Sequence, residues 1–407
     1  MRRHERNQGR PGSDVAPEVA DPPQPPARVL VVGVRRGLCD ALRRRHIDFA
    51  VWNDPARRVN RAQFVHAAPL YESRARARDE AERILERHGP FTHVVAGSES
   101  GVLAAAVARR VLGARQSSHT TVMRCRDKLL MKRHLSERGI PMTPFVEVVP
   151  DAAAREVLDA LGGKVVVKGR TASGGRGIVV VEDEASFEQA RRRGLIAERY
   201  VDAPEVSVES FVNHHRILFQ NVTEYVRKGS VNLVPGGLPR ETHEAVLALN
   251  RKVIEALRID WGITHVELYL TPDGTLFGEI ALRPPGGYIM DLLELAWRLP
   301  AWDAFVAVEL DLPVAFPTEA WRVALACVLH PGAGRVARIV GESALRADPR
   351  VVEAKLKIAP GDAVPERIGV GIDVGHVLLI GGDREEALDA LRFVDDTLRI
   401  ELEPASG

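Results

Sequence analysis

Cysteine occurs at only three positions, Cys39, Cys125 and Cys327, far apart and with no Cys-x-x-Cys pair. That spacing supports neither a disulfide framework nor a cysteine-held zinc, and a reducing, cytoplasmic setting is the expectation. Aromatic residues make up 5% of the chain. No run approaches the roughly 18 apolar residues that a membrane helix requires, and the first residues lack the apolar centre of a secretory signal, so neither membrane insertion nor export is expected. No charge of one sign dominates. The 56 basic and 55 acidic residues exclude a strongly basic nucleic-acid binder, and the 45% hydrophobic share excludes a wholly disordered chain. Lysine is the rarest charge: eight of the basic residues are Lys and 48 are Arg. A lysine at a motif position is therefore less apt to be there by chance.

What is present divides along the chain. A length of 407 residues predicts two to four domains. Residues 1–27 hold six prolines among polar residues and read as a disordered tail. Order begins at the apolar run Arg28-Val-Leu-Val-Val-Gly33, followed by a helix-like segment over 37–45, strands at 47–52 and 92–96 and an Ala-rich helix to about 112. This is the start of an α/β layer, ending near residue 120. Gly33-Val-Arg-Arg-Gly37 lacks the remaining glycines of a dinucleotide fingerprint, so a nicotinamide site is poorly supported. A helix is predicted over 126–138 and another over 241–257. Strands at 165–168 and 178–181 flank Gly169-Arg-Thr-Ala-Ser-Gly-Gly-Arg-Gly177, and residues 195–201 and 206–211 read as further strands. Residues 264–280, broken by Pro272-Asp-Gly274, read as a β-hairpin, and a final helix spans 384–397.

The residues that could carry chemistry lie in the middle of the chain. The glycine loop can expose backbone N–H groups to phosphate oxygens at little steric cost, although the Gly-Lys-Ser/Thr of a Walker loop is absent. By itself such a loop is an ordinary hairpin connection. Lys168 ends an all-valine strand just before it, and an ammonium beside a sheet interior calls for an anionic partner or an escape to solvent. Lys128 sits in the first turn of a helix, mildly adverse for a cation in the helix dipole, which favours a ligand role. A hairpin centred on Asp273 sets Glu267 opposite Glu279. Two ionised carboxylates with Cβ atoms about 5 Å apart repel unless a cation lies between them, and magnesium, which takes carboxylates together with phosphates, fits. Exposed strand glutamates in a different register are the plain alternative. Arg283 offers a planar fork suited to phosphate or an oxyanion. His214 and His215 are adjacent without a third ligand at metal spacing, and neither Gly-x-Ser-x-Gly nor His-Glu-x-x-His occurs.

In chain order Lys128, Lys168, the Ser-Gly-Gly loop, Glu198-Arg-Tyr-Val201, Glu205, Glu267 and Glu279 with Arg283 resemble the ATP-grasp superfamily, from about residue 28 to 300. The resemblance implies an α/β and α+β multidomain protein. A Rossmann-like pre-ATP-grasp domain (28–120) would precede a small lid subdomain (121–212), a large subdomain core (213–320) and a small α+β C-terminal domain (321–407). It implies ATP held by Lys128, Lys168, Ser173, Gly174 and Gly175, with Glu198, Tyr200 and Val201 at the adenine and Glu205 at the ribose. It also implies Mg2+ or Mn2+ on Glu267 and Glu279, and a catalytic Arg283 with Lys168. Many members carry Asn where this chain has Ala281, so a metal ligand is missing or replaced by water.

Thr264-His-Val-Glu267, Glu279-Ile-Ala-Leu-Arg283 and the segment His330-Pro-Gly-Ala-Gly-Arg335 onward are similar to the L-amino-acid ligase branch, where Ala at that position is familiar. The implied activity is amide formation between a carboxylate and an amine, amino acids by resemblance, through an acyl phosphate. No nucleic-acid or membrane partner is expected. Dimers are common in the family, which leaves a homodimer open. A carboxylase or purine-pathway member of the same superfamily, and a nucleotide-binding module without catalysis, stand as alternatives.

Overall fold

The computed structural model describes residues 26–56, 64–149, 151–191, 194–369 and 371–403. The expected disordered tail lies outside them, apart from its last two positions. Arg28–Val32 is an inner strand of a parallel sheet in the order Phe64–Ala67, Asp48–Asn53, Arg28–Val32, His93–Ala96. The run is apolar at every turn of the pleat because both faces are covered. Val29 and Val31 pack with Leu38 and Leu42 of the helix Arg36–Arg44 and with the helices Ile289–Trp297 and Ala301–Glu309, whereas Leu30 and Val32 face Arg74–His88 and Val102–Val111.

A second, antiparallel sheet follows in the order Phe145–Val148, Leu195–Arg199, Val165–Gly169, Val179–Val181, backed by the helices Ala154–Leu161 and Glu184–Ala190. The strands Val165–Gly169 and Val179–Val181 are joined by the glycine segment, as the sequence predicts. The third sheet has eight antiparallel strands in the order Gly274–Leu282, Gly262–Thr271, Glu205–Asn213, Arg216–Arg227, Val231–Val234, Val323–Leu329, Gly375–Gly381, Val351–Leu356. A small sheet of Ala363–Val364, Gly334–Val340 and Arg399–Leu402 completes the fold.

Sheet membership moves two expected boundaries. Glu205–Asn213 is placed by sequence in the 121–212 unit, but it pairs on both sides inside the large sheet, so the second sheet ends at Arg199. The boundary at 320 and 321 falls within that same sheet, because Val231–Val234 bonds directly to Val323–Leu329. Periodicity marks strands but not their partners, which is why linear order suggested a break where hydrogen bonds run on. The single helix expected over 126–138 is two, His119–Arg126 and Lys128–Ser136, divided at Asp127. His214 and His215 are not strand residues. They form the two-residue turn between Glu205–Asn213 and Arg216–Arg227, with φ of 49° and 59°, the left-handed pair such a hairpin requires.

The parallel sheet is tied to the rest of the chain by a buried ion pair. The Arg109 guanidinium donates to Glu309 Oε2 at 3.0 Å and to the Val94 carbonyl at 2.9 Å, and Trp261 Nε1 donates to the same carboxylate at 3.4 Å. Burial pushes the Glu309 carboxyl up, and Arg109 acts against that. Arg109→Met leaves this acid without its ion partner and should lower unfolding stability by about 3 kcal/mol, read as a reduced midpoint in urea denaturation at neutral pH.

Candidate active site

The site is assembled from the ends of several elements. Asp127 caps the helix Lys128–Ser136, accepting from the amides of Leu129 and Leu130 at 3.0 and 3.2 Å, and its other carboxylate edge takes the Arg170 guanidinium at 2.7 Å. That cap places Lys128 against the glycine segment: its ammonium donates to the Ala172 carbonyl at 2.6 Å and pairs with Glu279 Oε1 at 2.9 Å. A lysine at a helix start thus joins the loop to one of the two opposed acids. The loop runs exposed beyond it, with left-handed φ of 65° and 73° at Gly174 and Gly175, a conformation open to glycine at no steric cost. Ser173 lies at its near end and is half-buried.

Glu267 and Glu279 are direct cross-strand partners, and the route to that register is instructive. The turn is the tight pair Pro272-Asp273, with Thr271 opposite Gly274. A bulge at Gly278 shifts the pairing by one before Glu279 is reached. A Cβ at Gly278 would stand 3.1 Å from the Glu267 carbonyl, so the position is built for glycine. The expected opposition is present, produced by the bulge rather than by a loop centred on Asp273.

The repulsion argument for a metal changes in this setting. Burial raises the Glu267 carboxyl, but His265, Lys168 and Lys228 outweigh it and hold it down to about 2. Glu279 has Lys128. Protein cations therefore already balance the pair, and repulsion alone does not demand a metal. Among the described residues no group of three or more His, Cys, Asp or Glu side chains is arranged to hold one, and Ala281 is buried without a donor. Two partly exposed carboxylates, 34% and 28% accessible, fit a hard ion that takes its remaining ligands from phosphate oxygens and water. They do not fit an ion held by protein alone.

The anion that Lys168 calls for is internal. Lys168 is buried at its strand end, and its ammonium pairs with Glu198 Oε1 at 2.9 Å. The second oxygen of Glu198 takes Lys132 at 3.1 Å and the Thr143 hydroxyl at 3.2 Å. Burial raises the Glu198 carboxyl, yet Lys132 and Lys168 hold it down to about 2. Lys132 is fully buried, and there desolvation outweighs the pairing and lowers its pKa. The Glu198 side chain is thus committed to partners within the protein. The Tyr200 amide is itself engaged with the Lys164 carbonyl at 3.0 Å. Glu205 is likewise buried and paired with Lys228, whose ammonium lies 5.6 Å from the Tyr269 ring.

A deeper network supports Glu267. His265 Nε2 lies 3.4 Å from its carboxylate, and Nδ1 lies 2.9 Å from Glu209 Oε1. Glu209 accepts in turn from Ser207, Asn221 and Thr223 at 2.6 to 2.9 Å. Burial opposes the imidazolium, but the two carboxylates raise its pKa to about 9. Arg283 reaches across to the parallel-sheet unit, donating to Glu99 Oε2 at 2.7 Å and to the Pro284 carbonyl at 2.9 Å. Arg126 lies 3.7 Å from the other oxygen of Glu99 and donates to Glu72 at 2.6 Å. Sequence reasoning missed Lys132, Lys228, His265 and Glu99 as participants. The scarcity of lysine was the available signal, since four of the eight, Lys128, Lys132, Lys168 and Lys228, line this one region.

The glycine-rich hairpin, the lysines and the paired carboxylates thus meet at one place, and the comparisons name the class of fold. The family model for the ATP-grasp domain matches residues 133–291, and that for L-amino acid ligase C-terminal domain 2 matches residues 327–403. The chain carries an ATP-grasp domain followed by the C-terminal domain of the L-amino acid ligases. It is 26% identical over 245 residues to the L-arginine-specific L-amino acid ligase of Bacillus subtilis, a match covering 54% of this chain and 58% of that one. A D-alanine–D-alanine ligase of Desulforudis audaxviator is 27% identical over 42% of this chain and 68% of its own. In fold the chain is similar to the L-amino acid ligase of Bacillus licheniformis, with a TM-score of 0.78 at 20% identity over 93% and 99% of the two chains. It is also similar to N5-carboxyaminoimidazole ribonucleotide synthetase of Thermotoga maritima, with a TM-score of 0.72 at 19% identity over 93% and 100%. The match to the Bacillus subtilis ligase spans less than two thirds of that protein. Among the described residues no helix is long and apolar enough to cross a membrane.

Glu198→Gln should destabilise the protein by about 3 kcal/mol at pH 7, because two buried ammonium groups lose their anion. The sign with pH follows from the lowered folded-state pKa. The carboxylate's contribution is complete above about pH 4.3 and fades as the pH falls toward 2, so the gap between wild type and variant should narrow over that window in denaturation measurements.

Proposed function

We propose that the protein is an ATP-dependent carboxylate–amine ligase that forms an amide bond through an acyl phosphate, with an amino acid as the carboxylate substrate and ADP and phosphate as products. The observation that carries the reading is the Lys128 bridge between Glu279 and the glycine loop. It sets one of the two opposed carboxylates, a cation and the start of the glycine loop within hydrogen-bond reach of one another. The C-terminal match to L-amino acid ligases supports an amino acid over bicarbonate as the activated carboxylate. Three free, buried cysteines accord with a cytoplasmic site of action.

A free carboxylate is a poor electrophile. In the proposed reaction its oxygen attacks the γ-phosphorus and the bond to the β-phosphate oxygen breaks, releasing ADP. The amine nitrogen then attacks the acyl carbon, loses a proton, and inorganic phosphate leaves. Lys128 and Lys168 would offset the triphosphate charge, and Ser173, Gly174 and Gly175 would close over it and exclude water, which otherwise hydrolyses the acyl phosphate. Glu198–Val201 would present backbone to the adenine and Glu205 would meet the ribose. Glu267 and Glu279 would hold magnesium or manganese, which when bound supplies a compact positive charge shared with the phosphate oxygens. Arg283, fixed by Glu99, would steady the developing oxyanion or the transferring phosphoryl group.

Phosphate release measured over all pairs of the twenty amino acids, with mass spectrometry of the active wells, should show amino-acid-dependent ADP formation and a dipeptide mass. Release without any amino-acid dependence would count against the ligase. Lys168→Ala and Glu279→Ala should each lower turnover by about a hundredfold or more with the protein still folded by circular dichroism. Calorimetry should show Mg2+ or Mn2+ binding only when nucleotide is present, as a donor set of two carboxylates requires.

A further inference from the structure

Away from this site, the helices Arg74–His88 and Val102–Val111 and the start of His119–Arg126 enclose a cleft of about 420 Å³. Its floor is apolar, including Leu85 and Val107, and its rim carries Arg74, Arg78, Arg110 and His119. One carboxylate, Glu82, faces it and is taken by Arg78 at 3.0 Å. Among the described residues Arg74 and Arg110 have no ion-pair partner. Both lie near enough to His119 to lower its pKa, after the larger effect of burial. Three exposed guanidiniums around an apolar floor, with a single and already paired acid, give the cleft a net positive rim that favours an anion. Their forked donors suit a carboxylate or phosphate head, and the floor suits a hydrocarbon body.

We propose that this cleft binds a small organic anion with an apolar body, at a site separate from the nucleotide. The two regions share one helix. His119 stands at the cleft end of His119–Arg126, and Arg126 at the other end pairs with Glu72 and approaches Glu99, the partner of Arg283.

The test uses the full chain and the fluorescent anion 8-anilinonaphthalene-1-sulfonate, titrated in saturating MgATP. Saturable binding should be weakened about tenfold or more in Arg74→Gln/Arg110→Gln, with thermal unfolding unchanged. Ala106→Trp, which fills the cleft without altering its charge, should remove it, and the uncharged N-phenyl-1-naphthylamine should bind far more weakly. Displacement by phenylacetate or by phenyl phosphate supports the site and assigns the head group. Equal binding by wild type and both variants, equal binding of the neutral probe, or displacement by neither acid overturns it. None of these readouts depends on ligase turnover.

Discussion

The structure depends on setting a cation against each of several carboxylates in a partly dry space. Glu198, Glu205, Glu209, Glu267 and Glu279 gather on and beside one sheet surface, and each is met by a cation: two lysines, Lys228, His265, and Lys128. Desolvation acts against each buried charge; close pairing overcomes it at Glu198, Glu209 and Glu267, whereas at Glu205 and Lys132 desolvation prevails. The arrangement also fixes geometry. Lys128 cannot satisfy both Ala172 and Glu279 unless the glycine hairpin, the capped helix and the bulged hairpin hold one mutual position. The chemistry and the architecture thus rest on the same ion pairs.

The acids at this surface fall into two environments. Glu198 and Glu209 have their oxygens taken up by buried partners and act as internal anions, setting the positions of Lys168 and His265. Glu267 and Glu279 are the more accessible and keep coordination capacity toward solvent. In the proposed reaction a hard cation with its own phosphate oxygens would sit with the second pair. Arg283 is held from a different unit through Glu99, so the relation between the parallel sheet and the large sheet bears directly on where that guanidinium points.

Much of this was legible in the chain. The apolar run Arg28–Val32, the helix 384–397 and the glycine hairpin all express local periodicity and turn chemistry, which is what a linear reading can see. Pairing across distance was not legible. Lys168 calls for an anionic partner, and Glu198, thirty positions on, supplies one only once Val165–Gly169 lies against Leu195–Arg199. The partners of Glu205–Asn213 in the large sheet are hidden from a linear reading for the same reason. The two histidines of the 214–215 turn are another case, since a left-handed turn normally announces itself with Gly or Asn.

The sequence by itself determined which residue types were available and in what order: a glycine hairpin, scarce lysines, two glutamates flanking a tight turn, and a C-terminal segment of α+β pattern. The tertiary structure alone decided which charges meet. It set a bulge at Gly278 that brings Glu279 opposite Glu267, gave Lys168 an internal anion, and carried one sheet through the boundary that linear order suggested. The physical reason is that local preference acts within a few residues, whereas the cost of burying a charge is settled only by whatever distant partner the folded chain places against it.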